Sequence, residues 1–360
     1  GDLTSSSSIS GTGKVLLNGT STQLVNMNNN IIASLEVNNT QNVSLSSGVK
    51  VQNALTFVNG KIVAGNYNVT LASTATTSGM GTGKFIETNG TGQVYKELTS
   101  NVTSYEIPVG LSTVYRPVFI TSSATTYANG KVGVKSISGY YSGKTSYSTD
   151  YLNTYWAVNR SGITGTVTAV GQYADPTDIT GTEANLRGCF FDGYQWSSLS
   201  GTNDATLNRV GAPVSVNGGY LYGMTRFAMV GVKAFLQGYY SASSMNAGIY
   251  NLGLIADSTA TDSVTVNLWS SSGLANANPS YSLKSIIHKN GYSNIILPKV
   301  NVNDNQIIVY DKGNNEKGQI GDSKYNYIKD KQRYTYILKC HQSVITKNLL
   351  DFWKNFLKLC

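Results

Sequence analysis

The chain has 360 residues, of which 13% are charged, about half the usual share, while Gly, Ser, Thr, Asn and Tyr are abundant. Thirteen Lys/Arg and six Asp/Glu follow position 283, which is +7 of the total of +8, so the first 283 residues carry only +1. A nearly neutral body excludes a basic nucleic-acid face, and the lack of any run of about 20 apolar residues excludes a transmembrane helix. Alternating aliphatic residues through positions 14–270 argue against disorder.

Apolar pairs in the first 75 residues return at a spacing of about twenty positions. Shifted by one period, Leu35 falls on Leu55, and the same shift matches Val37 with Phe57, Val43 with Val63, Val49 with Val69, Val51 with Leu71, Val15 with Leu35 and Leu17 with Val37. Alternating apolar residues between Asn, Gly, Ser and Thr indicate short strands with turns between them. A fixed period near 20 predicts stacked coils of an N-terminal β-solenoid, a short right-handed β-helix-like stack over residues 1–82.

A β-meander made of ordinary hairpins is the alternative for this segment, and the twenty-residue return favours the solenoid. Asn and Gly occupy the expected corners, where they tolerate left-handed backbone and bond neighbouring amides. These corner residues are Asn38, Asn39, Asn53, Asn59, Gly60, Gly65, Asn66 and Asn68.

Longer strands with Gly-rich turns follow, and they predict a β-sandwich over residues 83–232. The NGTG segment between KFIET (84–88) and QVYKEL (93–98) predicts a hairpin. The further predicted strands are SYEIPVG (104–110), YRPVFITSS (115–123), KVGVKSISGYY (131–141), TYWAVNRSG (154–162), GTVTAVGQY (165–173), GCFFDGYQW (188–196) and YLYGMTRFAMVGV (220–232).

The C-terminal part changes composition twice. AFLQGYY (234–240) and DSVTVNLW (262–269) predict a partial second, Ig-like sandwich over residues 233–298. Residues 299–360 form an anomalous Lys/Asn-rich tail, either a real basic appendage or the product of a shifted reading frame. Within it, apolar residues of 344–360 recur at helical spacing and predict an amphipathic helix.

The order of the phrases FIETNGTGQVYKEL, YEIPVG, YRPVFI, YWAVNRSG and AFLQGYY…DSVTVNLW resembles the large secreted surface proteins of Bacteroidota. The resemblance covers roughly residues 10–290 and ends after Leu297. It implies export by the type IX secretion route and a location in the medium or on the outer cell surface. It implies no reaction.

Carboxylates are scarce where a solenoid hydrolase or lyase would need them. No Asp lies between Asp2 and Asp150, and the Glu residues in that range are Glu36, Glu87, Glu97 and Glu106. Acid–base cleavage of a polysaccharide requires paired carboxylates, so we expect no enzyme activity. We expect no cofactor. Asp175 and Asp178 in the DPTD segment could supply oxygen ligands to Ca²⁺, but a solvated loop is the favoured interpretation, because their spacing matches no known Ca²⁺-binding loop.

Three cysteines without a CxxC motif and two histidines predict neither a metal site nor a nucleophilic pair, and Cys189 is expected to be a small buried hydrophobe. Tyr and Trp rings can stack on sugars or fill a core, and Trp156 is expected in the core. The residues predicted for glycan contact are Tyr194, Trp196, Tyr239 and Tyr240.

These features together predict a non-enzymatic structural or adhesive segment of a large extracellular surface protein. The alternatives are a glycan-binding module and the non-catalytic part of a polysaccharide-degrading enzyme. The expected partners are cell-surface glycans or other surface proteins.

Overall fold

The computed structural model describes residues 1–144, 148–193, 196–198, 201–216, 218–225, 228–234, 240–241, 244–254, 257–270, 281–297, 305–310, 318–319 and 333–338. Nearly all of the described secondary structure is β-strand, which confirms the predicted all-β class. The chain divides into two compact units, Gly1–Arg226 and Phe227–Cys360. The division falls inside the segment 220–232, which the sequence analysis treats as one strand.

The described part of the first unit contains 22 strands. They are β1 (Leu3–Thr4), β2 (Val15–Leu17), β3 (Gln23–Asn26), β4 (Ile31–Asn38), β5 (Val43–Leu45), β6 (Val49–Asn59), β7 (Ile62–Val63), β8 (Val69–Leu71), β9 (Thr76–Ser78), β10 (Ile86–Glu87), β11 (Val94–Leu98), β12 (Val102–Ile107), β13 (Val109–Leu111), β14 (Val114–Tyr115), β15 (Val118–Ser138), β16 (Tyr151–Gln172), β17 (Ile179–Thr180), β18 (Leu186–Phe191), β19 (Trp196–Ser198), β20 (Thr202–Asp204), β21 (Arg209–Pro213) and β22 (Gly219–Thr225). A 3-10 helix spans Glu183–Asn185.

The N-terminal strands form a β-solenoid of about five turns, as the twenty-residue period predicts. Parallel pairing places Leu35 beside Leu55 and Val49 beside Val69, together with Val15 beside Leu35, Leu17 beside Val37, Val37 beside Phe57 and Val51 beside Leu71. Most of these side chains are buried, so each coil covers the inward aliphatic groups of the one before it. The handedness of the stack stays a prediction.

Two predicted details are wrong, one in the stack and one at the start of the predicted sandwich. Val43 pairs with Ile62 rather than Val63, because the intervening corner is one residue shorter than the twenty-residue period. The NGTG segment forms no hairpin: β10 pairs with β7 and β13 in one sheet, and β11 pairs parallel with β8 in another. NGTG is therefore the corner of a further coil, with a repeat of about 25 residues.

The corners are held by close contacts between successive coils. Gly60 has a φ of +79°, and a Cβ placed there would lie 1.8 Å from the carbonyl oxygen of Asn39. At other corners, asparagine side chains form hydrogen bonds to the next coil. Asn66 Oδ1 accepts a hydrogen bond from the backbone amide of Thr91 at 3.0 Å, and Asn68 Oδ1 accepts one from that of Gln93 at 2.9 Å. Contacts between corner residues thus help to fix the spacing of the coils.

The solenoid passes into the predicted sandwich without a break in the sheet. On one edge β11 pairs parallel with β8, and on the other it pairs antiparallel with β15. The segments predicted as four strands between 115 and 173 form only two, β15 and β16, which run antiparallel along a long ribbon. Register shifts between Ala124 and Thr126 and between Tyr127 and Lys131 interrupt this ribbon.

The two halves of the ribbon belong to opposite layers of the sandwich. One half pairs with β11 and β22, and the other pairs with β12 and β21. Trp156 from the first half is fully buried, as predicted, and its ring fills the space where a Cβ on Gly171 of the second half would lie. The Trp156 indole donates to the carbonyl oxygen of Arg116 at 3.0 Å, which satisfies its only polar group.

In the described residues of the second unit there are nine strands and one short helix, α1 (Gly248–Asn251). The strands are β23 (Ala228–Ala234), β24 (Tyr240–Ser241), β25 (Ser244–Met245), β26 (Ala260–Ser270), β27 (Tyr281–His288), β28 (Tyr292–Leu297), β29 (Asn305–Tyr310), β30 (Gly318–Gln319) and β31 (Arg333–Leu338). The predicted strand 262–269 lies within β26, which pairs antiparallel with β27 and β29. The predicted C-terminal helix, 344–360, lies outside the described residues.

Replacing Gly60 by Ala tests the corner contact. The added methyl group meets the Asn39 carbonyl, so we expect the free energy of unfolding to fall by more than about 2 kcal/mol. Gly13→Ala is the matched control, because no atom lies within 4 Å of its Cβ position. Urea denaturation followed by circular dichroism measures both variants, and equal stability of the two contradicts the stacked corner.

Candidate functional site

Every carboxylate between residues 3 and 144 is engaged by a specific partner. Glu36 forms an ion pair with Lys14, Glu87 with Lys61 at 2.7 Å, and Glu97 with Lys50 at 2.8 Å. The Tyr115 hydroxyl donates to Glu106. Burial, together with this hydrogen bond and the Glu106 charge, raises the pKa of Tyr115. Each of these four carboxylates therefore has a partner within the protein.

Lys96 ends one of the aliphatic rows of the solenoid. The row passes through Ile32, Val51 and Leu71, and Lys96 occupies the next step with only 2% of its surface exposed. Its ammonium group donates to the carbonyl oxygens of Ala72, Ser73 and Ala75 at 2.7, 3.0 and 2.8 Å and lies 4.1 Å from the centre of the Tyr105 ring. Burial lowers the pKa of Lys96 from 10.5 to about 8, although the nearby negative charge of Glu97 acts to raise it.

Of the two DPTD carboxylates considered for Ca²⁺, Asp175 is exposed, whereas Asp178 is engaged inside the protein. Asp178 is 1% exposed, and both of its oxygens accept hydrogen bonds from Arg116, at 2.7 Å from Nε and 2.6 Å from a terminal nitrogen. The amide of Ala174 donates to the same carboxylate at 2.9 Å. This bidentate pair joins the 174–178 loop to Arg116 in the short link between β14 and β15, so the role of Asp178 here is structural.

Aromatic rings gather on the outward face of the sandwich layer formed by β16, β22, β18 and β19. Pairing sets Tyr155 opposite Tyr222 and Phe191 opposite both Tyr220 and Trp196. Outward positions alternate with the core residues on each strand, which is why rings from four strands share one face.

Tyr141, from the loop after β15, lies over this face. Its ring centre is 5.2 Å from Tyr220, 5.3 Å from Tyr155, 5.5 Å from Phe191, 5.7 Å from Trp196 and 6.0 Å from Tyr222. Burial and the neighbouring hydroxyls of Tyr220 and Tyr155 raise the pKa of Tyr141 to about 12. The loop is therefore attached to the sheet by ring contacts, and the phenol is neutral at physiological pH.

A second group of rings adjoins the first. Tyr140 is 57% exposed, and its ring packs edge-on against Tyr151 at 6.0 Å. The ammonium group of Lys144 lies 4.4 Å from the Tyr151 ring centre and 5.6 Å from that of Tyr140. We call the five exposed or half-buried rings of Tyr140, Tyr141, Tyr151, Tyr155 and Tyr220 the tyrosine platform.

Beneath the platform, Tyr222 and Trp196 are buried. The Tyr222 hydroxyl forms no hydrogen bond of ordinary geometry with the residues that the structure describes. Burial raises its pKa, although the nearby backbone of Tyr141 acts in the opposite direction. Tyr222 and Trp196 thus form a small buried aromatic cluster beneath the platform.

The four residues predicted for glycan contact do not come together as a described site. Trp196 is 6% exposed, so little of its ring is open to a sugar. Tyr194 and Tyr239 lie outside the described residues, as does the side chain of Tyr240 in β24. Tyr151, Tyr155 and Tyr220 are not among the predicted contact residues, and the signal that could have found them is an outward tyrosine at matching positions of paired strands.

The thiol and imidazole groups have structural surroundings. Cys189 is fully buried, which confirms its prediction as a small hydrophobe, and burial raises the pKa of its thiol. His288 Nδ1 lies 2.9 Å from the Thr259 hydroxyl and 3.2 Å from the Asp257 carboxylate. His341 lies outside the described residues. Within the described ranges, no three His, Cys, Asp or Glu residues are grouped to hold a metal ion.

No helix among the described residues has the length and hydrophobicity needed to cross a membrane. No protein-family model matches the chain, and neither a curated protein nor a solved structure matches it.

The buried Lys96 makes stability depend on pH in the alkaline range. The pKa of Lys96 is about 8 in the folded protein, whereas the ordinary value for a lysine is 10.5. Between these two pH values the unfolded chain therefore binds more protons than the folded chain. The free energy of unfolding of the native protein, relative to that of Lys96→Met, should therefore rise from pH 8 to about 10.5. Subtracting the variant removes the titration of the tyrosines common to both proteins. A difference that stays constant or falls over this range contradicts the assignment.

The Arg116–Asp178 pair gives a second prediction. Asp178→Asn removes one buried charge and leaves the Arg116 cation unpaired, so we expect a loss of about 3–5 kcal/mol in the free energy of unfolding. Asp175→Asn is the control at the neighbouring acidic position and should change stability little. Millimolar Ca²⁺ should leave the thermal midpoint of the native protein unchanged. A Ca²⁺-dependent increase that Asp178→Asn abolishes would restore the cation site.

Proposed function

We propose that the chain is a non-enzymatic structural or adhesive segment of a large extracellular protein. The observation that carries this proposal is the in-register stack of coils, whose aliphatic rows and corner contacts bind each turn to the next. Stacks of this kind are stiff along their axis, because each inner strand pairs with a strand of the coil before it and of the coil after it. A stiff stack suits a part that carries load or displays loops away from a surface.

The pairing of the solenoid carboxylates supports a non-catalytic role. Glu36, Glu87 and Glu97 each pair with a lysine of a different coil, so they link coils of the stack to one another. Glycoside hydrolysis instead needs two carboxyl groups that face one sugar from opposite sides. The solenoid glutamates are arranged for cohesion between coils.

The outer cell surface is the proposed location, and the sequence supports it in two ways. Solubility rests on hydroxyl and amide groups rather than on charge, as is common in secreted β-proteins. The phrases FIETNGTGQVYKEL and YEIPVG resemble Bacteroidota surface proteins exported by the type IX route. Export by that route and a bacterial origin are parts of this proposal.

Complementation of a deletion strain of the source organism tests the proposal. Cells lacking the protein should attach less to a surface, and the native chain should restore attachment. Gly60→Ala should restore less attachment because the stack is weakened, whereas Gly13→Ala should act as the native chain. Antibody should label the protein on intact cells. Labelling only after lysis, or full restoration by an unstacked Gly60→Ala protein, would contradict the proposal.

A further inference from the structure

We propose that the tyrosine platform binds an acidic polysaccharide, a chain containing uronic acid residues. This inference rests on the proposed adhesive function and names the chemical class of its partner. The contact residues are Tyr140 and Tyr141 in the loop after β15, the platform rings of β16 and β22, and Lys144.

The rings supply the surface that a pyranose needs. Sugars present C–H groups on one ring face and hydroxyls around the rim, and aromatic rings with a polar end match both. Tyr140 is 57% exposed, and Tyr141, Tyr155 and Tyr220 lie within 5.2–5.7 Å of one another between ring centres. Raised pKa values keep the hydroxyls of Tyr141 and Tyr155 protonated, so they donate as well as accept hydrogen bonds.

Lys144 supplies the charge that favours an acidic sugar. Its ammonium group is placed by the Tyr140 and Tyr151 rings, and none of the ion pairs in the described part of the chain involves it. Asp150, six positions along the chain, is buried and accepts hydrogen bonds from Thr182, Asn185 and Thr225. The Lys144 ammonium group therefore lies beside the rings without an ion pair to Asp150, and its charge complements a ligand carboxylate.

The arrangement fits a polymer better than a single terminal sugar. Tyr140 and Tyr141 are adjacent in the chain, yet they belong to two ring groups, one with Tyr151 and one with Tyr155 and Tyr220. Successive sugar rings of an extended chain can contact the two groups in turn. The carboxylate of the sugar on the first group then lies beside Lys144.

Calorimetric titration of the full chain with hexagalacturonate, compared with neutral maltohexaose, tests the inference. We expect hexagalacturonate to bind and maltohexaose to bind at least about tenfold more weakly. Tyr140→Ala and Lys144→Gln should each weaken binding about tenfold, whereas Lys144→Arg, which keeps the charge, should retain most of it. Tyr67→Ala is the control, because Tyr67 is 40% exposed on the solenoid.

Two results would overturn the inference. One is equal binding of the two oligosaccharides, and the other is unchanged hexagalacturonate affinity in Tyr140→Ala and Lys144→Gln. Thermal unfolding of each variant shows that a loss of binding is local, since Tyr140 and Lys144 lie outside the buried core. Failure here leaves the proposed scaffold function intact, because attachment that depends on the stack is measured separately with Gly60→Ala.

Discussion

The structure depends on one constraint: each coil must cover the inward aliphatic side chains of the coil before it. The first and last residues in a row of stacked inward side chains have a coil on one side only, and an apolar side chain there would be exposed to water unless something else covered it. One row ends at Lys96, which turns its ammonium group onto three corner carbonyls. Another begins at Gln23, which lies beside Val43, is 6% exposed and bonds Gly1, Gly19 and the buried Asn39. In these two rows, a buried polar side chain with satisfied hydrogen bonds occupies the end of the row, whereas the row through Val49, Val69 and Val94 continues onto Val134 of β15.

The same constraint explains how the solenoid joins the sandwich. The last coil strand, β11, would leave an open edge, and open edges recruit other strands. Antiparallel pairing with β15 covers that edge within the chain. The ribbon β15–β16 then supplies both layers of the sandwich and carries the tyrosine platform on its outer side. The placement of the platform therefore follows from the way in which the stack is closed.

The sequence predicts those parts that repeat. Leu35 and Leu55 are found from the period alone, because parallel coils place equivalent residues side by side. The NGTG segment misleads because Asn and Gly serve a solenoid corner and a hairpin equally well, and only the neighbouring strands decide between them. The long strand β16 appears as two predicted strands because a glycine-containing bend interrupts its alternation.

The platform is harder to predict because its members are far apart in sequence. Tyr141 meets Tyr155 and Tyr220 only through the loop after β15 and the register of β16 with β22. Trp196, an attractive candidate from sequence, belongs to the floor beneath them. Residue type alone does not distinguish an accessible ring of the platform from a ring that is buried beneath it.

Disulfide trapping between neighbouring coils tests the in-register stack most directly. The hydroxyls of Thr56 and Ser78 lie 3.2 Å apart on paired positions of β6 and β9. In a chain with its native cysteines replaced, Thr56→Cys/Ser78→Cys should form a disulfide rapidly under mild oxidation, whereas Thr56→Cys/Thr76→Cys, offset by two residues, should form it slowly. Faster crosslinking of the offset pair, or no crosslinking of either, would contradict the stack.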